Sequence, residues 1–171
     1  MATVFGDENV YGTRLSSATN QIGACKATLS EAGSVTSIHW YMNCNDGASA
    51  AYVACIHSDS AGSPDALLGT TSEVVIPSNT AAAWVEFDFV TPVVCAAADY
   101  WLGRVVGDNA WYGGVYYNTA TGTWAWQTGL TYPTPPDPFN EGDIETNRIY
   151  SVHAHYTPTA SGNPYYYYAQ L

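Results

Sequence analysis

At residues 84–89 the chain reads WVEFDF, with Val85, Phe87 and Phe89 at one parity and Trp84, Glu86 and Asp88 at the other. Successive side chains of an extended backbone leave on opposite faces. The alternation therefore gives one apolar face and one mixed face, which suits a half-buried strand. Thr91-Pro92 is expected to end this run, because proline brings no N–H to a central ladder. A second apolar segment runs from Tyr100 to Val106 and closes at Gly107-Asp108-Asn109. These two strands and their short connection carry enough apolar surface to anchor a sheet.

The same signature recurs along the chain. Short apolar runs are separated by Gly, Pro, Asn, Asp and Ser, and no stretch keeps a helical period over the roughly 10–12 residues a helix requires. Strands are expected at Val4-Phe5 and at residues 22–29, 35–42, 50–57, 72–76 and 144–156. Within 35–42, Ile38, Trp40 and Met42 form the apolar face, with Val35, Ser37, His39 and Tyr41 opposite. Within the last strand, Tyr150, Val152, Ala154 and Tyr156 oppose Ile149, Ser151, His153 and His155. Residues 111–117 and 123–126 are expected to pair as a hairpin around residues 118–122. The segment TYPTPPDPFNEG, residues 131–142, holds four prolines and is expected to run as an extended loop over the surface. Together these segments predict an all-β fold, an antiparallel β-sandwich (jelly roll) of about eight to ten short strands, over residues 1–158. Residues 159–171 form a polar linker and an aromatic tail. Tyr165, Tyr166, Tyr167 and Tyr168 cannot all face one core from a strand, so the tail is expected to dock on another subunit.

Composition narrows the function. The 171 residues suit one domain, and charged residues make up only 11%, about half the usual share. Fifteen acidic residues against four basic ones give a net charge of −11. Binding to a phosphate backbone needs clustered Lys and Arg, so no nucleic-acid partner is expected. The charge favours attraction to cations or to a basic partner surface. No run approaches the roughly 20 apolar residues of a membrane helix, so no membrane insertion is expected. The start, MATVFGDENVYG, lacks the basic and apolar regions of a secretory signal: either a leader was removed before it, or the protein is made in the cytoplasm and reaches its place by assembly, which the initial Met1 favours. Cys25, Cys44, Cys55 and Cys95 form no CxxC; disulfides and buried thiols both remain open.

Candidate chemistry is sparse. No G-x-S-x-G is present, and Glu86 and Asp88, neighbours on one strand face, lack the opposed geometry of a glycosidase pair. No catalytic residue is expected, and the protein reads as a non-enzyme. His153 and His155 share a strand face at a spacing that can hold a transition metal, given a third ligand from His39 or His57. Otherwise they are histidines of an exposed sheet face, which is the expectation, and no transition metal is assigned. Asp137, Glu141, Asp143 and Glu145 offer the hard oxygens calcium prefers, without an EF-hand pattern; solvated loop carboxylates are the expectation, with calcium the one cofactor they would suit. Trp111, Tyr112, Tyr116, Tyr117, Trp124 and Trp126 crowd one short stretch. Some are expected in the core, and the rest as a stacking platform for sugar rings or an interface with another protein.

Four strings in order carry a resemblance over most of residues 20–158: GSVTSIHWYM, AAYVACIHSDSAGSPDALLGTTSEV, WVEFDFVTPVVCAAADYWLGRV and RIYSVHAHYTP. The chain resembles a family of jelly-roll modules found in phage and metagenomic structural proteins and in secreted bacterial proteins with carbohydrate-binding-like sandwich domains. It departs from that pattern at Ala98, where such modules usually carry glycine. The resemblance implies a sandwich fold and a structural or adhesive role without catalytic residues. The function expected is a virion structural protein, such as a capsid decoration or fibre subunit on the virion surface. It would assemble with copies of itself and with other virion or filament proteins. The alternative is a secreted, extracellular glycan-binding adhesion domain or filament subunit.

Overall fold

The computed structural model describes residues 3–45, 47–140 and 143–159, with Asp143 described in its backbone only. Fourteen strands lie among them: β1 (Thr3–Asp7), β2 (Thr13–Ser16), β3 (Gln21–Leu29), β4 (Gly33–Cys44), β5 (Ala50–Ser60), β6 (Ser63–Thr70), β7 (Val74–Ile76), β8 (Thr80–Cys95), β9 (Ala98–Val106), β10 (Gly113–Asn118), β11 (Trp124–Gln127), β12 (Asp143–Glu145), β13 (Ile149–Tyr150) and β14 (Val152–Pro158). No helix among the described residues is long and apolar enough to cross a membrane.

The strands form two seven-stranded sheets with antiparallel pairing, packed as a β-sandwich. In the first sheet β4 is central. It pairs with β8 on one side and, end to end, with β14 and β10 on the other. β1 flanks β14, while β2 and β13 flank β10. The second sheet runs β12-β11-β3-β9-β5-β6, with β7 also against β5.

The alternation read from the sequence sets the inner faces except at Val35, which was expected opposite Ile38 and Trp40 but joins their core because the β4–β8 ladder shifts register between Val35 and Ser37. Ile38, Trp40 and Met42 of β4 and Phe87 of β8 are fully buried against Tyr52, Ala54 and Ile56 of β5 and Leu102 of β9. Tyr150, Val152, Ala154 and Tyr156 join the same core. Each such large apolar side chain removed from water contributes about 1.5–3 kcal/mol before the entropy of ordering it.

The second sheet is apolar on both faces. Ile22, Ala24, Cys55, Trp101, Val105 and Ala125 form a separate cluster on its outer side, closed by Phe139 with Leu130 and Tyr132. The proline segment is therefore the extended surface loop expected, and it also covers a second core. Its backbone is tied down: Phe139 N–H donates to Asp65 O (3.0 Å) and Leu130 N–H to Asn20 O (3.1 Å). His57 Nε2–H donates to Pro136 O (2.9 Å), and the Tyr132 hydroxyl donates to Glu73 (2.6 Å). The Tyr132-Pro133 and Asp137-Pro138 bonds are cis.

Several expectations are corrected. Thr91-Pro92 does not end its strand, since β8 runs on to Cys95. Val35 faces Val93 while Ser37 faces Asp88, so residues 89–92 bulge opposite a single β4 residue, and Pro92 faces no ladder partner. β8 and β9 belong to opposite sheets, so the connection between them crosses the sandwich. The hairpin at residues 111–126 does not form: β10 lies in the first sheet and β11 in the second. The last strand breaks at Ser151, whose Oγ accepts from Tyr11 N–H at 3.0 Å. Short strands such as β2, β7, β12 and β13 raise the strand number above eight to ten. All four cysteines are buried free thiols. Glu141 and the tail tyrosines Tyr165, Tyr166, Tyr167 and Tyr168 lie outside the described residues.

Candidate functional site

The outer face of the first sheet is built by parity. Because the core takes Ile38 and Trp40 from β4, Phe87 from β8 and Ala154 from β14, the opposite face receives Ser37 and His39, Glu86 and Asp88, and His153 and His155. The ladder then aligns them in rows. His39 faces His153 on one side and Glu86 on the other, while Ser37 faces His155 and Asp88. His39 is thus opposite His153 and diagonal to His155, both within side-chain reach.

The rings take up these positions closely. His39 stacks on His153 at 4.8 Å with an interplanar angle of 6°, and its centroid lies 4.1 Å from that of His155. One ring nitrogen from each of the three histidines lies within 4.8 Å of the others. Trp84 packs edge-on against His153 at 4.5 Å. Tyr41 lies 5.5 Å from Trp84 and 5.3 Å from Tyr116, which extends an aromatic strip across the face.

These are not histidines of an exposed face, which corrects the expectation: His39 is 8% and His153 6% exposed. His57, the other candidate third ligand, lies in the opposite sheet under the proline loop, 5.4 Å from the Phe139 ring. Burial, with the neighbouring imidazoles adding to it, pushes His39 and His153 down to about 4, although Glu86 and Asp88 pull His39 up and Asp7 pulls His153 up. Both rings are therefore neutral at pH 7. Glu86 Oε1, 3.4 Å from His39 Nε2, forms a weak polar contact there and not an ion pair. Ser37 Oγ lies 3.0 Å from the same nitrogen. His153 Nδ1 is buried with no hydrogen-bond partner.

The six aromatic residues singled out from sequence are divided. Trp111, Trp124 and Trp126 line a cleft of about 260 Å³ with Arg104, between the sheet ends at β2 and β11. Trp111 is 73% exposed, whereas Trp124 is buried and stacks on Tyr150 at 4.3 Å. Tyr117 packs against Tyr150, and Tyr116 joins the outer strip instead. Tyr112 is exposed in the connection before β10, and its carbonyl accepts from Arg14 at 2.9 Å.

Arg104 was not singled out from sequence. It stands in the apolar run WLGRVV, and a charge in a strand buried on both faces was the available signal. It is 2% exposed, with its guanidinium 4.8 Å from the Trp40 ring and 5.6 Å from Trp124. Nη2 donates to Ser17 Oγ at 2.8 Å, while Nε and Nη1 have no partner. No carboxylate pairs with it among the described residues, and desolvation lowers its pKa.

A further cleft, of about 550 Å³, is lined by Lys26 and Arg148. Lys26 pairs with Asp59 at 3.1 Å and Asp99 at 2.9 Å, and Arg148 with Glu145 at 3.4 Å. Of the calcium candidates, Asp137 accepts from Leu67 N–H at 3.1 Å, and the side chains of Glu141 and Asp143 lie outside the described residues.

No protein-family model matches the chain. A search of curated proteins gives no significant match.

Proposed function

We propose that this protein is a non-enzymatic structural subunit that acts by self-assembly and surface contact, as a virion decoration or fibre protein would. The observation that carries this reading is an exposed aliphatic ridge on β8. Val90 and Val94 are 84% and 80% exposed. They border a groove of about 480 Å³ completed by Leu68, Phe89 and Val93. Grouped exposed apolar side chains are uncommon on monomers and suit contact with another chain. Among the described residues β8 ladders with β4 alone; along its second edge Asp88 O accepts from Ser72 N–H at 3.4 Å, so the stretch past Asp88, at the exposed ridge, is the part offered to a ladder partner. With a net charge of −11, copies repel at low salt, and association should strengthen as salt screens the charge.

The test is light scattering across concentration and salt, comparing the native chain with the double variant Val90→Asp, Val94→Asp. Discrete oligomers that the variant loses, with its melting temperature unchanged, support the reading. A native chain that stays monomeric at every concentration and salt refutes it.

A second reading, glycan binding, is favoured by the cleft. Trp111 and Trp126 offer ring faces, and the buried Arg104 guanidinium in the same cleft adds positive charge suited to an acidic sugar. A glycan array including uronic and sialic acids tests it; binding that Trp126→Ala leaves unchanged removes this reading.

A further inference from the structure

We propose that His39, His153 and His155 form a three-imidazole site for a borderline divalent cation, zinc foremost, on the outer face of the first sheet. The site uses neither Val90 and Val94 of the β8 ridge nor the Arg104 cleft, and it is independent of the assembly reading.

The backbone supplies its geometry. His153 and His155 leave the same face of β14 because they are two residues apart, and the ladder places His39 of β4 directly across from His153. One nitrogen from each ring already lies within 4.8 Å of the other two. Two imidazole nitrogens bound to one tetrahedral zinc at about 2.0–2.1 Å are about 3.3 Å apart. Closing the difference requires small ring rotations and no change of strand register.

The surroundings favour a cation. His153 Nδ1 is buried without a partner, a costly state for a polar atom, and a metal bond would satisfy the ring. Ser37 Oγ and the Glu86 carboxylate approach His39 Nε2 at 3.0 and 3.4 Å, which fixes that ring as outer partners fix metal-bound imidazoles. Glu86 and Asp88 also bring negative charge to the face. Trp84 against His153 forms an apolar wall beside the cluster. Nitrogen donors select zinc, copper or nickel over calcium and magnesium, and a site with three imidazoles and one further position is the usual one for zinc. Because His39 and the His153–His155 pair come from different strands, the ion would cross-link β4 to β14.

The experiment uses the full, tag-free chain stripped with a chelator. Zinc is titrated by calorimetry, and the imidazole ¹⁵N resonances are followed in parallel. The expected result is one zinc per chain, with shifts at His39, His153 and His155 and none at His57. His155→Ala, at the least buried of the three, should weaken binding by about 100-fold or more while leaving far-UV circular dichroism unchanged. His39→Gln should act likewise if it folds. The proposal is overturned if zinc shows no saturable binding, if the shifts fall outside these three rings, or if His155→Ala binds within about threefold of the native chain.

Discussion

Phe139→Ala tests whether the proline segment closes a real second core. In the native fold the Phe139 ring is buried among Ile22, Ala24, Cys55, Trp101, Val105 and Ala125, and meets His57 edge-on at 5.4 Å. Truncating a buried phenylalanine costs about 3–5 kcal/mol through lost transfer energy and the cavity left behind. This ring sits on a surface segment that can settle partly into the gap, so the lower end applies, about 3 kcal/mol. For a domain of this size that corresponds to a fall in Tm of roughly 6–12 °C. Urea denaturation should show a lower midpoint at unchanged slope, because the surface exposed on unfolding hardly changes. Phe139→Leu should recover most of the loss. Hydrogen exchange adds a local readout: the Leu67 N–H, which donates to Asp137 at 3.1 Å, should lose protection as the segment lifts. A loss below about 1 kcal/mol, with Leu67 still protected, would show that the segment only rests on the sheet and that the outer cluster is stable without it.

Two further predictions follow from buried titratable groups. In the metal-free protein, stability should fall as pH drops below about 6.5, the ordinary imidazole value. His39 and His153 are held down to about 4 in the fold, and burial lowers His57 as well, so the unfolded chain takes up protons first. The contribution is whole above pH 6.5 and is lost on the way to pH 4, on the order of 3 kcal/mol for each of His39 and His153; urea titrations at pH 7 and pH 4.5 read most of it, and equal midpoints would refute it. The thiols provide the second. Cys25 and Cys55 are buried with their pKa values raised by desolvation, and Cys44 and Cys95 are raised in the same way. A thiol reagent should therefore react slowly with the native chain and with four equivalents in denaturant, and a reductant should leave Tm unchanged. Fewer than four equivalents without reductant would reveal a disulfide.

Much of the site was legible as parity and little of it as neighbourhood. The sequence placed Ile38, Trp40 and Met42 inward and His39 outward, and set His153 beside His155 on one face, because each of these is a statement about alternate residues of one strand. Whether His39 or His57 would join the pair was a question of which strands adjoin, and local pattern is silent on that. The buried state of the histidines was missed for a related reason: the rings of β4 and β14 cover one another and Trp84 of β8 packs edge-on against His153, and that reach depends on register. The aromatic stretch misled in the opposite way. Closeness in sequence suggested a hairpin, whereas β10 found its partners in β4, β2 and β13 and β11 found its own in β3 and β12. Trp124 is buried because Gly23, opposite Trp126 on β3, has no side chain and leaves room for the indole.

The chain by itself determined that it would be all-β, that Ile38, Trp40, Met42, Phe87, Val152 and Ala154 would face the core, and that the four-proline segment would cross the surface, since all of these follow from spacing, steric preference and the missing proline N–H. Only the tertiary structure decided which strands share a sheet, that a lone arginine would lie between Trp40 and Trp124, and that three histidines from two strands would meet. Hydrogen bonding between strands is made by a backbone common to nearly every residue, so pairing carries little local signature, and it is settled by how well the two apolar faces close on each other.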